Sequence, residues 1–450
     1  MHADKYRPPW NQGFAWVEEV TGGRLVRAER QARWRPAWLL DVDVSGASLP
    51  LYWRGDRAIP GSAAVLRSEA KLLQELERHD IPVPHVHGLC EEPLGLLLER
   101  VDGDVDFHRA DPDEQERVAG DFLDIVARYH HLDLSVAESA GLRRPAPGTE
   151  ATASLRRWQA AVDHAGVPAP LLRLALWWLN NHAPGADVPA VLVHGDCGPG
   201  QFLFKEGRVT AVLDWEFAHI GDPMEDLALI RGRDLSYPFG DLRQRLAEYE
   251  ARGGHRVDRD RLAYYSVLAM LISPAGLLPV LAAPPPGTDI AQVLAWNAVY
   301  SRALVQCLAE ATGVELRPVD IPDAPPSPRG WLHETVVSSL RELAESDADP
   351  YERYRLESVA LLADHLRLAD HLGAAFDGAE LDDAAEVLGR RPTDRAQADL
   401  GLDALVANAP GTNFEALLRL FHRRTVRDET LLTPLLGELA ETAGLSPIGN

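Results

Sequence analysis

The sequence predicts an α+β protein in which a small antiparallel sheet is followed by a mainly helical region and then by an all-helical segment. Strand-like apolar runs occupy residues 24–54, helically spaced apolar residues begin at Ser62, and almost the whole chain beyond Trp331 follows a helical pattern. With 450 residues the chain is longer than a single hydrophobic core usually supports. We therefore expect several cooperating units.

The first expected unit, residues 1–100, combines strands with one helix. Its elements are a hairpin, a helix and a further buried strand, at residues 38–53, 62–79 and 94–98. The hairpin turns at Ser-Gly-Ala, and Pro82 follows the end of the helix. The polar turn at residues 101–104 is expected to end this unit.

The second expected unit, residues 101–317, is mainly helical. Helices are expected at residues 112–132 and 168–182, with short strands and glycine turns at residues 191–213. Residues 264–288 carry no charge, but several prolines interrupt them. We interpret this stretch as a buried helix that ends near Ser273 and not as a membrane span.

A proline-rich segment at residues 318–330 predicts a linker, because it has too little apolar content to pack and too much proline for a helix. Residues 331–450 then predict a separate helical domain. That domain shows neither a fixed repeat nor a cluster of residues with evident chemistry.

The charge balance excludes some classes of partner. There are 68 acidic and 45 basic side chains, and the formal net charge is −23. This charge repels nucleic-acid phosphates and anionic lipid surfaces, so we expect neither nucleic acid nor a membrane as partner. The three cysteines lack disulfide or zinc spacing, and the first residues lack a secretory apolar segment. These features predict a cytoplasmic location.

The segment most informative about chemistry runs from His194 to the Asp214-Trp-Glu motif. It contains His-Gly-Asp196, then Gln201, then two short apolar strands joined by a glycine turn. Phosphoryl transfer needs a carboxylate that orients and deprotonates a hydroxyl, and oxygen ligands that hold magnesium against nucleotide phosphates. Protein kinases supply them in the order H-R-D-x-x-x-x-N and then D-F-G. The pattern H-G-D-x-x-x-x-Q followed by D-W-E predicts the same chemistry.

The sequence resembles the small-molecule kinases that include the aminoglycoside, macrolide and choline phosphotransferases. The run D-W-E-F-A-H-I-G-D-P-M-E-D-L-A at residues 214–228 carries the resemblance, together with L-E-R-V-D-G at residues 98–103 and A-R-Y-H at residues 127–130. It extends over residues 24–315. It implies a bilobal protein-kinase-like fold, with a nucleotide-binding sheet lobe and a helical lobe, and transfer from ATP or GTP with magnesium.

The resemblance also implies roles for individual residues. It makes Asp196 the catalytic carboxylate, Gln201 and Asp214 the magnesium ligands, and the backbone at Glu99 to Val101 the adenine contact. Further residues would bind phosphate or support the site. Arg54 would contact the α/β-phosphates and Glu69 would pair with it, while His194, Trp215, Glu216, Asp222 and Asp226 would support the loops, Asp222 as a helix cap and Asp226 as a buried acceptor.

Two departures from the family pattern leave alternatives open. Gln201 stands where the family has Asn, and no glycine-rich phosphate loop occurs at residues 29–36. Arg30, Arg33 and Arg35 could grip phosphates there, or the segment is an ordinary strand edge. The main expectation is transfer of the γ-phosphoryl group to a hydroxyl of an aminoglycoside-like compound, an amino alcohol or a hydroxyacyl metabolite. The alternative is an impaired nucleotide- or metabolite-binding module with a scaffold role for the helical tail, and that tail could also form a homodimer contact.

Overall fold

The computed structural model of the chain describes residues 8–449 without residues 34, 58–60, 147, 186–187, 348, 409, 438 and 440–443. The described residues form two compact units. The first unit consists of the described residues of Met1–Glu150, Ala186–Arg233 and Tyr237–Val257. The second unit consists of those of Ala151–Gly185, Asp234–Ser236 and Asp258–Asn450. The expected boundaries at residues 100, 317 and 330 stay predictions.

A five-stranded antiparallel sheet with two helices occupies the N-terminal part of the first unit. Its elements are α1 (Trp10–Thr21), β1 (Arg24–Arg30), β2 (Ala37–Val44), β3 (Ala47–Gly55), α2 (Ser62–Arg78), β4 (Val86–Glu91) and β5 (Leu94–Glu99). The strand order is β1-β2-β3-β5-β4. In the hairpin formed by β2 and β3, Val44 is opposite Ala47 and Trp38 is opposite Trp53. The predicted antiparallel sheet, its hairpin and its helix α2 are confirmed.

Aromatic side chains form the core beneath this sheet. Phe14 of α1 lies edge-on to Trp38 and to Trp53, with ring centroids 5.6 and 6.2 Å apart. Val17 is also buried there. The sequence-based expectations did not include α1, although Trp10, Phe14 and Val17 recur at helical spacing.

Short strands and helices complete the first unit. They are α3 (Pro112–His130), α4 (Leu134–Ser139), β6 (Val191–Val193), β7 (Phe202–Lys205), β8 (Arg208–Val212), β9 (His219–Gly221), α7 (Pro223–Gly232) and α8 (Leu242–Ala251). β7 and β8 form the predicted glycine-turn hairpin, and β6 pairs with β9. Asp104 makes an isolated bridge to Phe204 of β7, which connects the turn after β5 to this hairpin.

The second unit is helical in its described residues. It contains α5 (Glu150–His164), α6 (Pro170–Asn181), α9 (Arg259–Ala282), α10 (Ile290–Thr312), α11 (Gly330–Ser346), α12 (Pro350–Leu388), α13 (Arg395–Asn408) and α14 (Pro410–Leu436). The predicted C-terminal helical region is thereby confirmed. Residues 314–329 have no helix or strand.

The expectation that a helix ends near Ser273 is wrong. α9 continues to Ala282 with Pro274 and Pro279 inside it. A proline removes one backbone donor, but burial of Pro274, Ala275 and Val280 offsets that loss. Among the described residues, α9 is the helix that is long and apolar enough to cross a membrane by length and composition. This is weak evidence for a membrane span, because 56% of its most apolar window is buried within the protein and core helices of soluble proteins pass the same test.

A buried ionic cluster holds the last helices together. Glu380 of α12 is 3% exposed and pairs with both Arg424 and Arg427 of α14. Arg424 also pairs with Asp399 of α13, at 2.7 Å. The sequence did not reveal this cluster, because charged residues in helices are usually on the surface.

Candidate active site

Asp226, in the first turn of α7, holds the loop that carries Asp196. Its Oδ2 accepts hydrogen bonds from the backbone N–H of His194 at 2.9 Å, from the Tyr129 hydroxyl at 2.8 Å and from His130 Nε2 at 3.1 Å. Its Oδ1 accepts from the Gly195 N–H at 3.0 Å. Burial alone would raise the pKa of Asp226, but these bonds and the neighbouring imidazoles lower it below its usual value. The loop is therefore fixed to an ionised, fully buried carboxylate.

Asp222 positions the helix that carries Asp226. It is the N-cap of α7, and its side chain accepts from the Met224 N–H at 2.9 Å. The Asp222 N–H in turn donates to the Glu225 carboxylate at 3.3 Å, which completes a capping box. A proline at the first helical position adds a fixed backbone angle. The D-P-x-E-D sequence thus specifies the start of α7 locally.

His194 connects the loop to the end of the β7–β8 hairpin. Its Nδ1 accepts from the Asp196 N–H at 3.1 Å, so its Nε2 carries the proton and donates to the Leu213 carbonyl at 2.8 Å. Burial lowers the pKa of His194, which keeps the ring neutral. The Trp215 ring lies 4.5 Å from the imidazole and is itself buried. His194 and Trp215 therefore support the two loops.

The Asp196 carboxylate contacts one cation and one amide. Arg233 donates to its backbone carbonyl at 2.7 Å and to its Oδ1, while Gln201 Nε2 donates to its Oδ2. Burial raises the pKa of Asp196, Arg233 and His194 oppose that rise, and the negative charge of Asp214 adds to it. The side chain is 29% exposed, so this carboxylate is both held in place and accessible.

Glycines allow the loop to approach its neighbours closely. Gly195 has φ of +83°, and a Cβ at this position would lie 2.5 Å from the Phe217 carbonyl oxygen. Gly198 has φ of +128°, and a Cβ there would lie 2.6 Å from Cγ of Arg233. A larger residue at Gly198 would therefore displace the cation that contacts Asp196.

Asp214 lies in a second charged cluster. Its backbone is left-handed, with φ of +57°, which costs a non-glycine residue about 1–3 kcal/mol. Its Oδ1 is 2.8 Å from Nη2 of Arg54, which comes from β3 and also pairs with Glu69 of α2. Burial acts to raise the pKa of Asp214, but the nearby arginines lower it well below its usual value. The structure thus brings together Arg54, Glu69 and Asp214.

Glu216 is bound by arginines in the same cluster. It pairs with Arg35 from the β1–β2 loop, with Arg57 at 2.7 Å and with Arg54 at 3.6 Å. Burial acts to raise the pKa of Glu216, and Arg35, Arg57 and Arg54 lower it below its usual value. Asp214 and Glu216 are therefore both ionised and face a group of three guanidinium ions.

Glu99 and Val101 lie at the end of β5, where the chain leaves the sheet. The Glu99 N–H donates to the His85 carbonyl at 2.8 Å. The Val101 N–H and C=O make no hydrogen bond with any residue that the structure describes, so both are available to a ligand. Neither residue has a hydrogen bond or ion pair with Asp196 or Asp214 among the described residues.

The site fits magnesium bound together with a nucleotide. Within the described part of the chain, no group of three or more His, Cys, Asp or Glu side chains could hold a metal by itself. Magnesium is usually held by one or two carboxylates and by substrate phosphates. Asp214, ionised and 35% exposed, supplies one such carboxylate. Gln201 offers its amide oxygen, because its amide nitrogen is bonded to Asp196.

Sequence reasoning missed Arg233. Arg233 is the C-cap of α7, 37 residues after Asp196, and no local pattern in the sequence connects the two. Arg35 was one of three open candidates, and spacing alone could not choose among them.

The comparisons with known proteins agree with this geometry. A sequence model of the phosphotransferase enzyme family (APH) matches residues 43–265. An aminoglycoside 3'-phosphotransferase of Streptomyces fradiae is 31% identical over 276 residues, which are 56% of this chain and 90% of that protein. A crystal structure of a candidate aminoglycoside phosphotransferase from Ralstonia eutropha superposes with a TM-score of 0.52, at 22% identity, over 66% of this chain and 97% of that one.

Larger proteins also contain a similar segment. Acyl-CoA dehydrogenase family member 10 of Mus musculus is 28% identical over 180 residues, which are 37% of this chain and 16% of that protein. Family member 11 of Rattus norvegicus is 30% identical over 212 residues, which are 41% of this chain and 26% of that protein. The chain thus spans about a quarter or less of these two relatives.

The fold is that of the kinase-like phosphotransferases, which confirms the predicted protein-kinase-like architecture. The chain belongs to the phosphotransferase enzyme family, as the resemblance of its motifs predicted.

Proposed function

We propose that the chain transfers the γ-phosphoryl group of ATP, or of GTP, to a hydroxyl of a small molecule, with magnesium. The observation that carries this proposal is the pair of ionisable carboxylates Asp196 and Asp214. Each is positioned by its own set of contacts, and the chain reaches Asp196 before β7 and Asp214 after β8 of the same hairpin. Family membership supports a phosphotransferase reaction of the kinase type.

Asp196 acts as the base in this proposal. Its carboxylate accepts the proton of the acceptor hydroxyl while that oxygen forms a bond to the γ-phosphorus. The bond from the γ-phosphorus to the bridging oxygen breaks, and the nucleoside diphosphate leaves with the electron pair. Arg233 and Gln201 fix the carboxylate in one orientation, which favours transfer because misplacement of about 1 Å can cost about a hundredfold in rate.

Asp214 and Arg54 act on the phosphate side. Asp214 would hold magnesium, with the Gln201 amide oxygen as second ligand, and bound magnesium would neutralise charge on the transferring phosphoryl group. Arg54 is fixed by its buried pair with Glu69 and would contact the α/β-phosphates. The free backbone groups of Val101 would bind the adenine or guanine ring of the nucleotide.

The acceptor belongs to one of three chemical classes: an aminoglycoside-like compound, an amino alcohol or a hydroxyacyl metabolite. Arg233 is paired with the Asp196 carboxylate, so the two charges largely compensate and select none of the three classes. A screen should therefore include all three classes.

Calorimetry tests the nucleotide part of the proposal. We expect ATP to bind the wild-type chain more tightly with magnesium than without it, and Asp214→Ala to abolish that gain. Glu91→Ala is the matched control, because Glu91 is an exposed carboxylate of the same unit that pairs only with Arg67 among the described residues. The control should keep the magnesium effect. Failure of the wild-type chain to bind either ATP or GTP would refute the proposed function.

A second candidate function is an impaired nucleotide-binding module, with the helical tail as a scaffold. Gln201 in place of the family's Asn favours it, because the extra methylene moves the ligating amide outward by about 1.5 Å. Gln201→Asn separates the two functions. If the wild-type chain is an active enzyme, both it and Gln201→Asn should show magnesium-dependent turnover. If Gln201 impairs the wild-type chain, only Gln201→Asn should show it.

A further inference from the structure

The end of β1 and the loop that follows it have no glycine-rich phosphate-binding sequence, but they carry three arginines whose side chains contact different groups. Arg30 donates to the backbone carbonyls of Arg35 and Ala37 at 2.9 and 3.0 Å, which shapes the loop. Arg33 is exposed and donates to the Tyr52 hydroxyl at 3.2 Å. Arg35 has its guanidinium in an ion pair with Glu216 and 4.0 Å from Asp214.

Arg35 lies beside the carboxylate that would hold magnesium. It pairs with Glu216, and its Nη1 lies 4.0 Å from the Asp214 oxygen that Arg54 contacts at 2.8 Å. Asp214 is the proposed magnesium ligand, and in kinases the magnesium ions contact the terminal phosphates of the nucleotide. Arg35 therefore lies on the side of the site where those phosphates would bind.

The contacts of Arg35 are incomplete. Its side chain is 12% exposed, and its Nε–H is buried without a hydrogen-bond partner in the described part of the chain. The guanidinium of Arg54 is also at Glu216, so Arg35 is held beside a like charge. A guanidinium binds phosphate oxygens through several parallel N–H groups, so a phosphate would satisfy this donor and offset the repulsion between the arginines.

We propose that Arg35 binds the terminal phosphate of a nucleoside triphosphate, and that it exchanges its ion pair with Glu216 for phosphate oxygens when the nucleotide enters. This inference rests on the proposed function and adds to it a side chain that replaces the missing backbone cradle. In the free protein, the pair of Arg35 with Glu216 holds the loop near the site. The loop then needs little movement to cover the phosphates.

Calorimetry with magnesium and two nucleotides tests this assignment, because only one of them carries a terminal γ-phosphate. For Arg35→Gln we expect the affinity for AMP-PNP to fall about tenfold or more and that for ADP to fall less than about threefold. Arg27→Gln is the matched control, because Arg27 is an exposed arginine of the neighbouring strand β1 that pairs with Glu29 and Asp41; it should leave both affinities within about twofold. Retained ADP binding shows that the variant site is folded.

The ratio of the two affinities decides the outcome. An equal loss for both nucleotides, or no loss, would overturn the assignment and leave Arg35 as a structural partner of Glu216. Should Arg35→Gln not fold, Arg35→Lys is judged by the same ratio, because a lysine keeps the charge for Glu216 but lacks the guanidinium fork. A wild-type chain that binds neither nucleotide would refute the proposed function, and the assignment with it.

Discussion

Replacing Asp226 by Asn should release the loop that carries Asp196. The Asp226 carboxylate accepts four hydrogen bonds, three at Oδ2 and one at Oδ1. An Asn side chain can keep the three at its oxygen, but its amide nitrogen then faces the Gly195 N–H, and an unsatisfied buried donor costs about 1–3 kcal/mol. The three remaining bonds lose charge assistance, about 1 kcal/mol each. Relief of the buried charge offsets part of this loss, so we expect about 3–5 kcal/mol.

Amide hydrogen exchange measures this change locally, which suits a chain of two units whose global unfolding need not be two-state. Exchange at His194, Gly195 and Asp196 should accelerate about a hundredfold or more, since about 1.4 kcal/mol corresponds to tenfold. The pKa of Asp226 is lowered in the folded state, so its stabilisation is present at neutral pH and is lost as pH falls through that lowered value. The difference between wild type and variant should therefore narrow below about pH 4.

Asp222→Asn is the control for the same helix end, because Asn and Asp are equally good N-caps. We expect a change of less than about 1 kcal/mol for this variant. A loss below about 1 kcal/mol for Asp226→Asn would refute the argument that its four donors depend on a carboxylate.

Three further predictions concern other parts of the chain. Arg233→Gln should let the pKa of Asp196 rise further, so the acidic limb of the pH–kcat profile should move to higher pH. A lower rate with an unmoved acidic limb would show that Arg233 has only a structural role. Glu380→Gln should lower the free energy of unfolding of the helical region in urea by about 3–5 kcal/mol. Glu386 is 74% exposed, so Glu386→Gln should lower it by less than about 1 kcal/mol, and equal losses would contradict the importance of burial. The Cys197 thiol, buried with its pKa raised well above the usual value by that burial, should resist a thiol reagent at pH 8 until urea is added, and labelling of the native chain would contradict this.

Local patterns predicted the elements around the site. The alternation at residues 38–53 predicted the β2–β3 hairpin, and the helical spacing from Ser62 predicted α2. Both signals depend on neighbours within a few residues in sequence. The same holds for the capping box at Asp222. Family resemblance then assigned the roles of Asp196 and Asp214, which spacing could suggest but not establish.

Other features depended on contacts between distant residues. Helix α1 has Trp10, Phe14 and Val17 at helical spacing, but the tertiary fold sets what they pack against, Trp38 and Trp53 among others. α9 continues past Pro274 because tertiary burial compensates for a lost backbone bond. The packing partners of α1 and the continuation of α9 both depend on residues far away in sequence, which local patterns do not contain.

The sequence by itself determined the α+β class, the helix caps and the order of the His-Gly-Asp and Asp-Trp-Glu motifs, because these depend on near neighbours and on residue type. Tertiary structure alone decided which cations meet which carboxylates. Arg35 is 181 residues from Glu216 and Arg233 is 37 from Asp196, and in a chain rich in arginine no single position stood out. Charge pairing acts through space, so only the folded chain shows that Arg233 meets Asp196 and that Arg35 meets Glu216.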